Sequence, residues 1–135
     1  MSVQSTQILA LEAFEHVKPE MCAEYEAAGV TIDNKVKETE PGMLVHALTK
    51  VTETSDEAVY RWLEVFDSPA ALEAHFNSPH VQAHVAMLND TMLTAPTEIV
   101  LYTGWSEDEK AAWLDAHPGA NVRFAPILAS FFLDR

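Results

Sequence analysis

A single cysteine, Cys22, stands in the 135-residue chain. One thiol excludes an intrachain disulfide and any zinc site built from paired thiolates. Glycine is nearly as scarce. The four glycines, at 29, 42, 104 and 119, are scattered, so neither a dinucleotide fingerprint nor a phosphate-binding loop exists. No Gly-x-Ser-x-Gly elbow is present either. Basic residues number 8 against 21 acidic ones, a net charge of -13. Such a field repels phosphate backbones and anionic lipid, which argues against a nucleic-acid groove and a membrane-surface role. No apolar run approaches the ~20 residues of a membrane span. The opening "MSVQSTQILALEAF" lacks the basic start and continuous apolar core of a secretion signal. The sequon at Asn89-Asp90-Thr91 then reads as incidental, and the expected location is the cytoplasm.

What the chain does have is apolar content of 48%, enough for a folded core, and a length that suits one domain over residues 1–135. "QILALEAF" (7–14) has the length of a strand. Lys18-Pro19 opens a helical pattern with Met21, Tyr25, Ala28, Ile32 and Val36 on one face, ended by "EPG" at 40–42. "MLVHALTKV" (43–51) and "AVYRWLEVF" (58–66) read as strands joined by a polar loop. Ser68-Pro69 and Ser78-Pro79 are helix starts of one design, a serine N-cap followed by proline at the first helical position. "TEIVLYTGW" (97–105) is a fourth strand, and Ser106 with Glu109 has the spacing of a capping box. The tail "VRFAPILASFFLDR" is apolar without a definite form.

This order, β-α-β-β-α-β plus a C-terminal extension, is the ferredoxin-like α+β arrangement. The core covers about residues 7–104 and the extension about 105–135. It predicts a four-stranded antiparallel sheet with helices on one face. The strands are apolar on both faces, since Arg61, Leu63 and Val65 alternate with Tyr60, Trp62, Glu64 and Phe66. The face without helices needs a second cover, and a homodimer would supply it.

Along "EPGMLVHAL…AVYRWLEVFDSPAALEAHFNSPHVQAHVAML" the chain resembles the antibiotic biosynthesis monooxygenase family of dimeric α/β barrels. The elements that carry the likeness are Glu40-Pro41-Gly42, Glu64-Val65-Phe66, Ala70 to His75, and Ser78-Pro79-His80. The resemblance implies a cofactor-independent monooxygenase acting on an aromatic, quinol or polyketide-like substrate. A metabolite-binding protein without chemistry, or an isomerase of the same fold, are the alternatives within that superfamily. The haem-degrading branch fits poorly. Its relatives carry an asparagine on the first strand, where this chain has none. His75 takes the place of their tryptophan, and Val85 that of their histidine, with His84 one position off.

The segment "LEAHFNSPHVQAH" (72–84) holds three of the six histidines. His80 and His84 lie one helical turn apart, but no carboxylate accompanies them as in His-Glu-x-x-His. No metal site is expected. The resemblance instead places His75 and His80 at the mouth of a barrel, near bound ligand, as base or anion-orienting groups. The other reading is that they cap and pack the helix junction. His84 is expected to pack. Tyr60, Trp62, Glu64 and Phe66 project to one side of a strand. An aromatic row with one carboxylate suits a flat, partly polar ligand, or else is core with Glu64 paired to Arg61, Lys50 or Arg123. His46 shares a face with Leu44, Leu48 and Lys50 and could reach the same cavity or sit satisfied in the core.

Overall fold

The structure, a computed structural model, describes residues 8–129. Strand β1 (Leu9–Val17) leads through a 3-10 turn at Pro19–Met21 into helix α1 (Cys22–Thr39). Strands β2 (Met43–Glu53) and β3 (Ala58–Phe66) form a hairpin. Helices α2 (Pro69–Asn77) and α3 (Pro79–Thr91) precede β4 (Glu98–Thr103). The expected β-α-β-β-α-β order is therefore present, with the second helical region split in two.

The extension adds a fifth strand. After helix α4 (Glu107–Ala116), strand β5 (Val122–Pro126) pairs with β4 in parallel, giving the open sheet β2-β3-β1-β4-β5. The sheet is thus five-stranded and mixed rather than four-stranded and antiparallel. A crossover through α4 is what makes the last pairing parallel.

Strict alternation on the two central strands decides the faces. Leu9, Leu11, Ala13, Glu15 and Val17 on β1 are buried, as are Ala58, Tyr60, Trp62, Glu64 and Phe66 on β3. These rows meet the helices, whose anchors are Ile32 and Val36 of α1, Leu72 of α2, Val81 of α3 and Trp113 of α4. Gly29, rather than the expected Ala28, is the buried small residue of α1. A Cβ at Gly29 would fall 2.6 Å from Leu48 Cδ2 and 3.7 Å from the Trp62 ring, so its absence lets the helix settle on the sheet.

On β2 the register shifts between Met43 and Val45. Because of this bulge Met43 packs against the core while Leu44 is 39% exposed, so Leu44 does not share the face of His46 and Leu48 as expected. The opposite face of the sheet carries no helix among the described residues. At its centre Arg61 Nη1 donates to Glu12 at 3.1 Å and Tyr102 donates to the same carboxylate, with half-buried Phe14, Leu63 and Val65 around them. The cations offered as alternative partners for Glu64 are elsewhere: Arg61 with Glu12, Lys50 with Glu26 and Glu53, and Arg123 near Tyr102.

The turn between α1 and β2 docks onto the start of α2. Asp67 N–H donates to the Gly42 carbonyl at 2.9 Å, and a Cβ on Gly42 would lie 2.6 Å from Ala71 Cβ and 2.9 Å from Asp67 Oδ1. Neither neighbour is the loose end of a long side chain. Gly42→Ala should therefore destabilise the fold by about 1–3 kcal/mol, as overpacking does, read as a lowered midpoint in urea denaturation.

Candidate functional site

The Glu-Pro-Gly turn carries a carboxylate into the interior. Glu40 Oε1 accepts from His75 Nδ1 at 2.8 Å, and Glu40 Oε2 pairs with His80 Nε2 at 2.7 Å. On the other edge of the His75 ring, Nε2 lies 2.9 Å from Glu64 Oε1. His75 is thus held between two carboxylates, from the α1–β2 turn and from β3. The side chains of Glu40, His75 and Glu64 are each less than a tenth exposed. Local structure fixes the ring: the Ser78 hydroxyl and amide both donate to the His75 carbonyl, at 2.8 and 3.2 Å, where α2 gives way to α3. Contact between His75 Nε2 and Glu64 is close, yet it lies off the axis of the ring N–H. Glu64 Oε1 is consequently buried without a hydrogen-bond partner.

A second chain runs beside the first. His46 Nδ1 lies 2.8 Å from Asp33 Oδ1, and its ring stacks on Trp62 with centroids 4.3 Å apart. Trp62 Nε1 donates to Glu15 Oε1 at 3.1 Å, and the Tyr25 hydroxyl donates to the same oxygen at 2.6 Å. Glu15, Asp33 and Glu40 carried no functional reading in the sequence, because each meets its partner only across elements.

Between the sheet and helices α2 and α3 lies a cavity of about 520 Å³. His46, Trp62, Glu64 and His75 line it, and Glu15, His84, Gln82, Asn89 and Thr97 are further polar residues of its wall. Leu11, Ile32, Phe76, Val81 and Ile99 supply apolar surface. The cavity sits under the helices of the chain. Four of the residues singled out from sequence converge here: His46, Trp62, Glu64 and His75. Three do not. Tyr60 packs against Tyr25 with centroids 4.3 Å apart and donates to Glu26 at 2.5 Å, so it is a core residue at the edge of a separate groove. Phe66 is fully buried and touches the cavity only through the His75 ring. His80 faces a groove between α1 and α3 and reaches the site through Glu40. His84, expected to be packing, lines the cavity with a buried Nε2 that has no partner. That atom was missed because a lone histidine beside an apolar helix face has no distinguishing pattern.

The electrostatics follow from burial and pairing. Desolvation pulls His75 down, but Glu64 and Glu40 together outweigh it and leave the imidazole above its ordinary range. His84 is shifted down by desolvation and by the neighbouring His46 and His75. Burial raises the Glu15 carboxyl, and the hydrogen bonds from Tyr25, Thr97 and Trp62 offset only part of that. An imidazole held between two buried carboxylates therefore faces a mostly apolar cavity.

Residues 8–87 match the antibiotic biosynthesis monooxygenase family, more than half of the chain. The chain belongs to that family. Its structure is similar to a Caulobacter crescentus protein provisionally named an antibiotic biosynthesis monooxygenase, at 29% identity and a TM-score of 0.65, over 75% of this chain and 92% of that one. Two proteins with the same provisional name share the fold at lower identity. One, from Bacteroides thetaiotaomicron, is 22% identical with a TM-score of 0.60, over 69% of this chain and 85% of its own. The other, from Nitrosomonas europaea, is 17% identical with a TM-score of 0.61, over 79% and 98%. No curated protein matches. The family match ends within α3, so β4, α4 and β5 lie beyond it, while all four residues that converge on the cavity lie inside it.

The opposed shifts of two histidines on one cavity can be read directly. In a histidine NMR titration of metal-free protein, His84 should lose its proton below the ordinary value of about 6.5 and His75 above it. Folding raises the His75 value, so its contribution to stability is fully present below about 6.5 and is lost as pH rises through the folded value. His75→Gln should flatten that decline in thermal melts.

Proposed function

We propose that this protein is a cofactor-independent monooxygenase acting on a phenol, quinol or polyketide-like ring bound in the 520 Å³ cavity. The observation that carries the reading is Glu64 Oε1, buried on the cavity wall without a well-aligned hydrogen bond and 2.9 Å from the Nε2 of an imidazole pinned by a second carboxylate. A buried carboxylate oxygen without a donor is costly to the fold and is satisfied when a hydroxyl-bearing ligand enters.

In this mechanism the substrate hydroxyl donates to Glu64 and surrenders its proton there. The His75 N–H then faces the ring oxygen and stabilises its negative charge, while Glu40 keeps the imidazole oriented. Trp62 and His46, already stacked, present a flat face to the ring. His80 is a positioning residue acting through Glu40. The anion is electron-rich enough to reduce oxygen itself. One oxygen atom becomes a carbonyl at a ring carbon that gives up its single hydrogen, and the other leaves as water with that hydrogen and the proton returned by Glu64, so a phenol and O2 become a quinone and water without an outside reductant. The apolar remainder of the cavity keeps bulk water from the anion.

Oxygen uptake by metal-stripped protein with a panel of phenols and hydroquinones, corrected for autoxidation, tests this reading. Saturable uptake is expected, with kcat/KM reduced about 10²–10⁴-fold in Glu64→Gln and His75→Gln, the range for loss of a proton-transfer group. Uptake no faster than autoxidation across the panel counts against it. Turnover of a ligand without oxygen would indicate an isomerase, and ligand binding without turnover a metabolite-binding protein.

The same reading includes a homodimer, supported by the apolar sheet face that no helix covers among the described residues. A second copy seated there would bury Phe14, Leu63 and Val65 together with the Glu12–Arg61 pair. Leu63→Glu should halve the sedimenting mass. An unchanged mass for wild type and variant at the monomer value would remove the dimer.

A further inference from the structure

We infer that His46, Glu64 and His75 form a binding site for a divalent first-row transition-metal ion, reached from the 520 Å³ cavity. Among the described residues this is the group of three whose donor atoms converge, one nitrogen from each ring and a carboxylate oxygen all within 4.8 Å of one another. It is not the trio of residues 72–84 that the sequence brings forward; His75 is the member common to both.

Three features distinguish this cluster from an accident of packing. Each imidazole has its Nδ1 committed to an outer carboxylate, His46 to Asp33 and His75 to Glu40, both at 2.8 Å. Both rings are therefore oriented with Nε2 turned toward the site, that of His75 2.9 Å from Glu64 Oε1, the carboxylate–histidine arrangement that supports bound metals. Glu64 brings the negative charge, and its Oε1 has no hydrogen-bond partner although the residue is 6% exposed. Finally, the donors come from three elements, β2, β3 and α2, and converge at a cavity wall, so other coordination positions open onto the cavity. Two histidines and one carboxylate with open positions are the donor set of non-haem iron(II) centres and suit zinc, cobalt or manganese as well. Metal–ligand bonds of about 2.0–2.2 Å require the three side chains to close slightly on the ion.

The inference does not rest on the monooxygenase reading. A cation there would occupy the Nε2 of His75 and the Glu64 oxygen, the atoms that reading assigns to the substrate. Binding is measured without any turnover, so the two can fail separately.

The test is a Co²⁺ titration of the full-length, chelator-stripped protein, followed by visible absorption and calorimetry in excess Mg²⁺ to occupy exposed carboxylates. One equivalent should bind and produce d–d bands, and Zn²⁺ should displace it. Glu64→Gln and His46→Gln, both close in shape to the native residues, should weaken binding at least tenfold. Asp33→Asn should weaken it about 10–100-fold, as loss of an outer-shell partner does. His16→Gln and His117→Gln, whose rings pair with carboxylates elsewhere, should bind as wild type. Absence of d–d bands at millimolar Co²⁺, or bands that survive in Glu64→Gln and His46→Gln, would overturn the site. Circular dichroism of each variant separates loss of the site from loss of the fold.

Discussion

The burial of two carboxylates against a single imidazole is the constraint around which this structure is arranged. Glu40 and Glu64 are both almost wholly removed from water, and burying a carboxylate without a partner is costly. His75 between them makes the arrangement tolerable. It also joins three stretches of chain, the α1–β2 turn, the third strand and the α2–α3 junction. Withdrawing any one member leaves a buried charge uncompensated, a loss on the order of 3–5 kcal/mol for such pairs. The dense helix capping around it now has a purpose beyond helix stability. Ser68 and Ser78 start α2 and α3 at fixed positions, their hydroxyls accepting from Ala71 and Val81, and the Gly42–Asp67 contact seats the turn that delivers Glu40.

The chain from His46 through Trp62 to Glu15 has a different character. Its members are stacked or neutral donors rather than an ion triplet, and its carboxyl is pushed up by burial. The cavity is thus bordered by a charged chain on one side and a polar aromatic chain on the other. A ligand with a flat ring and a hydroxyl matches both. Strongly acidic surroundings have a further consequence. With a net charge of -13 and, among the described residues, no lysine or arginine lining the cavity, imidazole is the cation those residues could offer an anion in it. Charge stabilisation there must come through His75 and its neighbours.

Much of the fold was legible because it rests on local or periodic signals. Alternation on β3 separates Tyr60, Trp62, Glu64 and Phe66 from Arg61, Leu63 and Val65, and two Ser-Pro pairs mark two helix starts. What was not legible depends on contacts between residues far apart in the chain. Glu40 and His75 are separated by 35 positions and Trp62 and Glu15 by 47, and nothing local marks those pairs. The β2 bulge changed the phase of one residue, Leu44, without a glycine or proline to announce it. Strand β5 escaped because its burial is shallow and its partner, β4, is an edge that any short apolar segment could cover. Of the aromatic row, side was readable and depth was not. Tyr60 and Phe66 point the same way as Glu64 but lie at the two ends of the strand, where the helices close over the sheet.

The two faces of the sheet pose opposite problems, and a single residue of register separates them. On the helix-covered face the polar atoms are arranged so that Glu64 Oε1 and His84 Nε2 remain unsatisfied. On the other face Glu12 accepts from both Arg61 and Tyr102 among apolar side chains, although Arg61 Nε is likewise buried without a partner. At the centre of the helix side one position, the space off the Nε2 of His75 and the Glu64 oxygen, can hold a proton donor or a metal ion but not both. Which of them arrives decides whether the cavity works as a proton-transfer site or as a coordination sphere.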